Sequence, residues 1–172
     1  SNNLPKIKNN FPQVFSPQTA YQITSLLEGV VQRGTGKKLK KLNIDLAGKT
    51  GTTNKNTDTW FIGFTSNLVV GVYIGFDEPK SLGRFETGAK TAMPVFSYFV
   101  KKAIKKSDAR PFKVSKGIKL MVVDAKTGKK AKYGSTDTII EAFNIENLKK
   151  KSFEEGINLN YKETDTNILR FY

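Results

Sequence analysis

The sequence predicts an α/β (α+β) fold: an antiparallel sheet flanked by helices, followed by a C-terminal β-hairpin appendage. Two consecutive runs, Asp58 to Thr65 and Leu68 to Asp77, are rich in β-branched and aromatic residues and are separated by the polar pair Ser66-Asn67. A segment with apolar residues at helical spacing precedes them, and another follows. Helix, strands, helix is the order of a sheet covered by helices.

The elements follow in chain order. Ser16 is an N-cap and Pro17 a first helical residue, so a helix starts there. Ala20, Ile23, Leu26, Leu27, Val30 and Val31 recur at helical spacing until Gly34-Thr35-Gly36 stops it. A strand from about Ile44 to Thr53 opens a three-stranded meander, because Ser66-Asn67 suits a tight turn between the next two strands. The near-continuous apolar character of those two strands predicts burial on both faces. A second helix begins between Thr87 and Ala92, with Pro94 tolerated in its first turn. Its apolar face, Val95, Phe96, Phe99, Val100 and Ala103, is expected on the sheet. Gly117 to Tyr133 reads as a hairpin turning at Asp124 to Gly128, and Asp137 to Phe143 as a short helix. The stretch from Asn144 to Tyr172 is polar, with balanced charge, and reads as a weakly packed or partner-binding tail. The expected organisation is a linker or frayed terminus over 1–15, a main unit over 16–110 and an extension over 111–172.

Composition narrows the chemistry. At 172 residues the chain is long enough to bury one core. It has no Cys and no His, which excludes disulfides, thiolate metal sites and a Ser-His-Asp triad, and leaves lysine as the basic group for catalysis. No metal or other cofactor is expected. The net charge of +14 is concentrated between Lys101 and Lys132, where only Asp108 and Asp124 oppose the cations. Aromatic residues are not interleaved with those cations as a base-stacking platform requires, so the segment reads as a solvated face and not a nucleic-acid site. No apolar stretch approaches the ~18 residues of a membrane span, and no signal peptide is visible.

The run Leu46-Ala47-Gly48-Lys49-Thr50-Gly51-Thr52-Thr53-Asn54 carries the most specific signal. Gly48-Lys49-Thr50 also ends a Walker pattern. That pattern needs Gly at position 43, which is Asn43, and a helix afterwards, which Gly51-Thr52-Thr53 opposes. Lys-Thr-Gly is instead a signature of penicillin-binding serine enzymes. On a strand, alternation sends Lys49 and Gly51 to one face and Thr50 and Thr52 to the other.

From Phe15 to Arg110 the chain resembles the C-terminal half of the transpeptidase domain of class A penicillin-binding proteins. The resemblance rests on Ser16-Pro17-Gln18, Val30-Val31-Gln32-Arg33-Gly34-Thr35-Gly36, Ala47 to Asn54, Asp58-Thr59-Trp60-Phe61-Ile62-Gly63 and Gly71 to Asp77. It continues through Ser81-Leu82-Gly83-Arg84 and Glu86 to Ala92, with a weaker likeness over Gly117 to Gly128 and Glu141-Ala142-Phe143. It implies a peptidoglycan cross-linking D,D-transpeptidase that works through an acyl-serine. Lys49 and Thr52 are then catalytic, and Thr50, Gly51, Thr52 and Thr53 bind substrate. The threonine hydroxyls would hold the terminal carboxylate of a stem peptide or a β-lactam. The Thr52 N–H would be half of an oxyanion hole, and Lys49 would supply positive potential and a proton relay.

No serine here has Lys three positions on, so the nucleophile is expected upstream in a missing N-terminal half. Ser1-Asn2-Asn3 fits Ser-x-Asn but lies too near the triplet for the family's spacing. Trp60 reads as a packing anchor, while Arg84 and Glu86 sit in a loop that is open to either a substrate or a surface role. The resemblance places the domain on the periplasmic face of the inner membrane, joined to it only through an N-terminal anchor. An unpaired strand edge also predicts strand-mediated self-association. The other readings are a non-catalytic wall-associated or scaffold module and, from charge, a basic nucleic-acid binder.

Overall fold

The computed structural model describes residues 12–105 and 109–154. The chain divides into two compact units, with the boundary between Ser115 and Lys116.

In the first unit, helix α1 (Pro17–Gln32) starts as its cap predicts: Ser16 Oγ accepts from the Thr19 N–H at 3.1 Å. A short 3₁₀ segment, Lys37–Leu42, follows and buries Leu39. Strands β1 (Ala47–Thr52), β2 (Asp58–Phe64) and β3 (Val69–Gly75) form an antiparallel sheet in the order β1-β2-β3, the expected meander. Helix α2 (Ala92–Ala103) closes the unit, with Pro94 in its first turn. Phe61 and Phe96 meet at 4.7 Å between ring centroids, at the centre of a core that also holds Val31, Leu39, Leu46, Ala92, Met93 and Val100.

Burial on both sheet faces is not what the structure shows. Thr59 and Phe61 of β2 are buried, while Trp60 and Ile62 are 42% and 50% exposed. The cross-strand register puts Tyr73 opposite Trp60 and Val69 opposite Phe64, so an apolar outer face runs across β2 and β3. Phe112 packs edge-on against Phe64 at one end of it, 5.6 Å between centroids. Helices α1 and α2 cover the other face.

Helix α2 differs in the same way. It buries Ala92, Met93, Phe96 and Val100, one stripe at i, i+4 and i+8 spacing, but leaves Val95 and Phe99 about half exposed. The helix has two apolar sides, and the sheet takes one.

The second unit corrects two expectations. Strand β4 (Ile118–Asp124) pairs with β5 (Thr138–Asn144), from Ile118 opposite Asn144 to Asp124 opposite Thr138. Asp137 to Phe143 is therefore mostly strand and not helix, as the β-branched Thr138-Ile139-Ile140 favours. The turn at Asp124 to Gly128 does form: the Asp124 carboxylate accepts from the N–H groups of Lys126 and Thr127, and Gly128 has φ +67°. Its return strand makes only one bridge, Val123 to Lys130, before the chain turns again toward β5. Helix α3 (Ile145–Glu154) follows β5. The Ser1-Asn2-Asn3 motif and the tail beyond 154 lie outside the described residues.

Candidate active site: the free edge of the Lys-Thr-Gly strand

Strand β1 has a partner on one side only among the described residues. The Thr53 N–H donates to Asp58 O at 3.0 Å and continues the β1–β2 ladder. Antiparallel ladders alternate, so Ala47, Lys49, Gly51 and Thr53 direct their backbone groups at β2. Gly48, Thr50 and Thr52 direct theirs at the free edge. The Thr52 N–H thus points away from the sheet, available to a ligand lying along β1.

Side chains divide as alternation predicts. Thr50 stands opposite Phe61 and Thr52 opposite Thr59, on the helix-covered face. Lys49 stands opposite Ile62 and Gly51 opposite Trp60, on the outer face. A Cβ on Gly51 would lie 3.2 Å from the Trp60 Cβ, so the missing side chain makes room for the indole. The indole packs on Tyr73, 4.8 Å between centroids. Lys49 Nζ donates to Thr50 O at 3.0 Å, which keeps its charge over the edge.

Two contacts invisible in the motif hold the threonines. Thr35 Oγ1 lies 3.2 Å from Thr50 Oγ1, reaching β1 from the turn after α1. The Gly88 N–H donates to Thr52 Oγ1 at 3.1 Å, reaching it from the loop before α2. Neighbouring Thr91 bonds Thr59 at 2.6 Å between hydroxyls and ties that loop to β2. Gly34-Thr35-Gly36 and Thr87-Gly88 were both prominent in the sequence, but nothing in it marks which strand residue each meets.

Thr53 is engaged differently. Its Oγ1 accepts from the Asp58 N–H at 2.9 Å and lies 2.8 Å from Thr57 Oγ1, inside the β1–β2 turn. Asp58 also accepts from the Tyr73 hydroxyl at 2.7 Å and from Thr57 Oγ1 at 3.0 Å. The Tyr73 bond, and then the Thr57 bond, hold its carboxyl below the usual range, and the Asp58 partner raises Tyr73. In the same turn Asn56 has a left-handed backbone, φ +54°, and its Nδ2 donates to the carbonyls of Gly83 and Arg84 at 2.9 and 3.0 Å. The loop carrying Arg84 and Glu86 is thereby pinned beside the end of β1. Arg84 itself stacks over Phe85, 5.1 Å from the ring centroid.

Among the described residues no group of three or more His, Cys, Asp or Glu is placed to hold a metal, and no helix is long and apolar enough to cross a membrane.

The sequence and the fold have parallels in known proteins. Residues 6–101 match the family model described as penicillin binding protein transpeptidase domain. The chain is 47% identical over 137 residues to penicillin-binding protein 1A of Rickettsia conorii, a match covering 80% of this chain and 17% of that protein. It is 38% identical over 135 residues to penicillin-binding protein 1A of Pseudomonas aeruginosa, covering 78% and 16%. The crystal structure of penicillin-binding protein 1A from Haemophilus influenzae superposes with a TM-score of 0.69 at 34% identity, over 77% of this chain and 21% of that one. The chain thus spans about a fifth of the length of these relatives.

Proposed function

Because the chain belongs to the transpeptidase-domain family of class A penicillin-binding proteins, we propose that it supplies one wall of a peptidoglycan D,D-transpeptidase site. The observation that carries this reading is the free edge of β1, with an outward Thr52 N–H and with Thr50 and Thr52 hydroxyls on one face. A ligand extended along this edge meets donors suited to an anion. The Thr50 and Thr52 hydroxyls bind the terminal carboxylate of a stem peptide or a β-lactam. The Thr52 N–H stabilises the oxyanion formed when a serine attacks the carbonyl, where one such donor is worth about 10²–10³ in rate. Lys49 holds positive potential over the carboxylate and contacts the serine-lysine machinery.

The nucleophile and its Ser-x-x-Lys lysine come from the upstream half of the same polypeptide. The serine is acylated by the stem peptide, D-alanine leaves, and the acyl group passes to an amine of a neighbouring strand. The outer face carrying Trp60, Ile62, Val69 and Tyr73 is where that half packs. The domain works outside the cytoplasm, on the periplasmic face of the inner membrane, and is held there by an anchor upstream. Without its partner half, the β1 edge is a template for association with a second copy.

The test is labelling by a fluorescent penicillin. The 172-residue chain alone should take no label, and a polypeptide that also carries the upstream half should be acylated there on a serine. A stable adduct on the chain alone, seen by mass spectrometry, would overturn the division of the site between the two halves.

A further inference from the structure

We propose that Thr35 is a positioning residue of the carboxylate site: it donates to Thr50 Oγ1 and so aims the Thr50 proton at the bound anion. The inference rests on the reading of β1 given above and adds a residue outside the Lys-Thr-Gly strand.

Thr35 sits on a turn with little freedom. The Gly34 N–H donates to the carbonyls of Gly29 and Val30, both at 3.1 Å, and the Gly36 N–H donates to Val30 O at 2.9 Å. Beyond it, the Leu39 N–H donates to Gly36 O at 2.8 Å, and the Leu39 side chain is buried in the core. These bonds lock the turn to the end of α1 on one side and to the core on the other. Thr35 itself is exposed, and its Oγ1 lies 3.2 Å from Thr50 Oγ1, fifteen residues on.

The direction of that bond follows from counting protons. A hydroxyl has one proton and two lone pairs, and a carboxylate only accepts. When Thr50 gives its proton to a carboxylate, its bond with Thr35 must run with Thr35 as donor. Thr52 is arranged alike: its Oγ1 accepts from the Gly88 N–H, a bond that cannot reverse, so the Thr52 proton is left for the ligand. Both hydroxyls lie on one face, about 6.6 Å apart along the strand, within reach of the two oxygens of one carboxylate. Bonds that all run toward an anion polarise one another. Thr35 therefore acts through Thr50 without touching the ligand.

The experiment uses the polypeptide with both halves. Acylation rate constants are measured by mass spectrometry for benzylpenicillin and for its methyl ester, which lacks the carboxylate charge. Thr35→Val and Thr35→Ala should slow acylation by benzylpenicillin about three- to tenfold, the loss of one hydrogen bond. Acylation by the ester should change less than about twofold. Thr35→Ser should restore the benzylpenicillin rate. Equal slowing with both compounds, no slowing, or failure of serine to rescue would each overturn the role of Thr35. A wild-type polypeptide that benzylpenicillin does not acylate would overturn the transpeptidase reading itself, and this proposal with it.

Discussion

The Gly88 N–H donates to Thr52 Oγ1 across 36 residues of sequence, joining the loop before α2 to the edge strand at 3.1 Å. Gly88 is buried against the β1–β2 ladder, and a Cβ there would meet the carbonyl oxygens of Gly51, at 2.6 Å, and Trp60. Backbone cannot yield as a side-chain tip can. Gly88→Ala should therefore cost about 1–3 kcal/mol of stability, read as a lower urea midpoint at unchanged slope. An unchanged midpoint would mean that the loop does not bear on the sheet.

The two sides of α2 separate in stability measurements. Phe96 is buried against Phe61, so Phe96→Ala should cost about 3–5 kcal/mol. Phe99 is 48% exposed, and Phe99→Ala should cost under about 1 kcal/mol in this chain. The reverse order would place the wrong face of α2 on the sheet.

Glu28 predicts a pH dependence. Partial burial on α1, with nearby Asp45 adding repulsion, raises its carboxyl from 4.5 to about 7. Folded protein then keeps a proton that unfolded protein loses near 4.5. Stability from this group falls as pH rises from about 4.5 to about 7, by about 1 kcal/mol once solvent screening is allowed for. Glu28→Gln should flatten that slope in thermal melts between pH 5 and 8. Asp58 has the opposite sign: its lowered carboxyl contributes stability above its ordinary value of 3.8, lost as pH falls through the folded value. Removing the first cause with Tyr73→Phe should move the Asp58 titration upward, as followed by carboxyl NMR.

The exposed outer face and the β1 edge predict different behaviour of the isolated chain. Ile62→Lys and Val69→Lys should lower binding of a hydrophobic dye, because both side chains stand on that face. Self-association through the β1 edge should survive both changes, as judged by sedimentation. Its loss in Ile62→Lys would assign association to the face instead of the edge.

The sequence was most legible where the signal is local. Ser16-Pro17 marks the start of α1, and the period-2 alternation around Lys49 divides Lys49 from Thr50 and Thr52. It misled where burial depends on a distant partner. Trp60, Ile62 and Tyr73 read as buried on both faces because they are apolar, yet among the described residues of the first unit α1 and α2 cover the side carrying Phe61 and leave these three exposed. Val95 and Phe99 misled for the same reason. Asp137 to Phe143 was too short for period to decide between helix and strand, and pairing with β4 decided it. The links from Thr35 to Thr50 and from Gly88 to Thr52 join residues 15 and 36 apart, a proximity that no local pattern encodes.

The measurement that bears most closely on the outward Thr52 N–H as part of the reacting site is penicillin acylation of Thr52→Pro in the two-half polypeptide. That N–H lies outside the ladder with β2, so proline removes it without breaking a sheet bond. Thr52→Val keeps the N–H and removes only the hydroxyl. Penicillin acylation should slow at least about 10²-fold in folded Thr52→Pro, with Thr52→Val falling between it and wild type. A folded Thr52→Pro protein that is acylated at the wild-type rate would contradict that role for the Thr52 N–H.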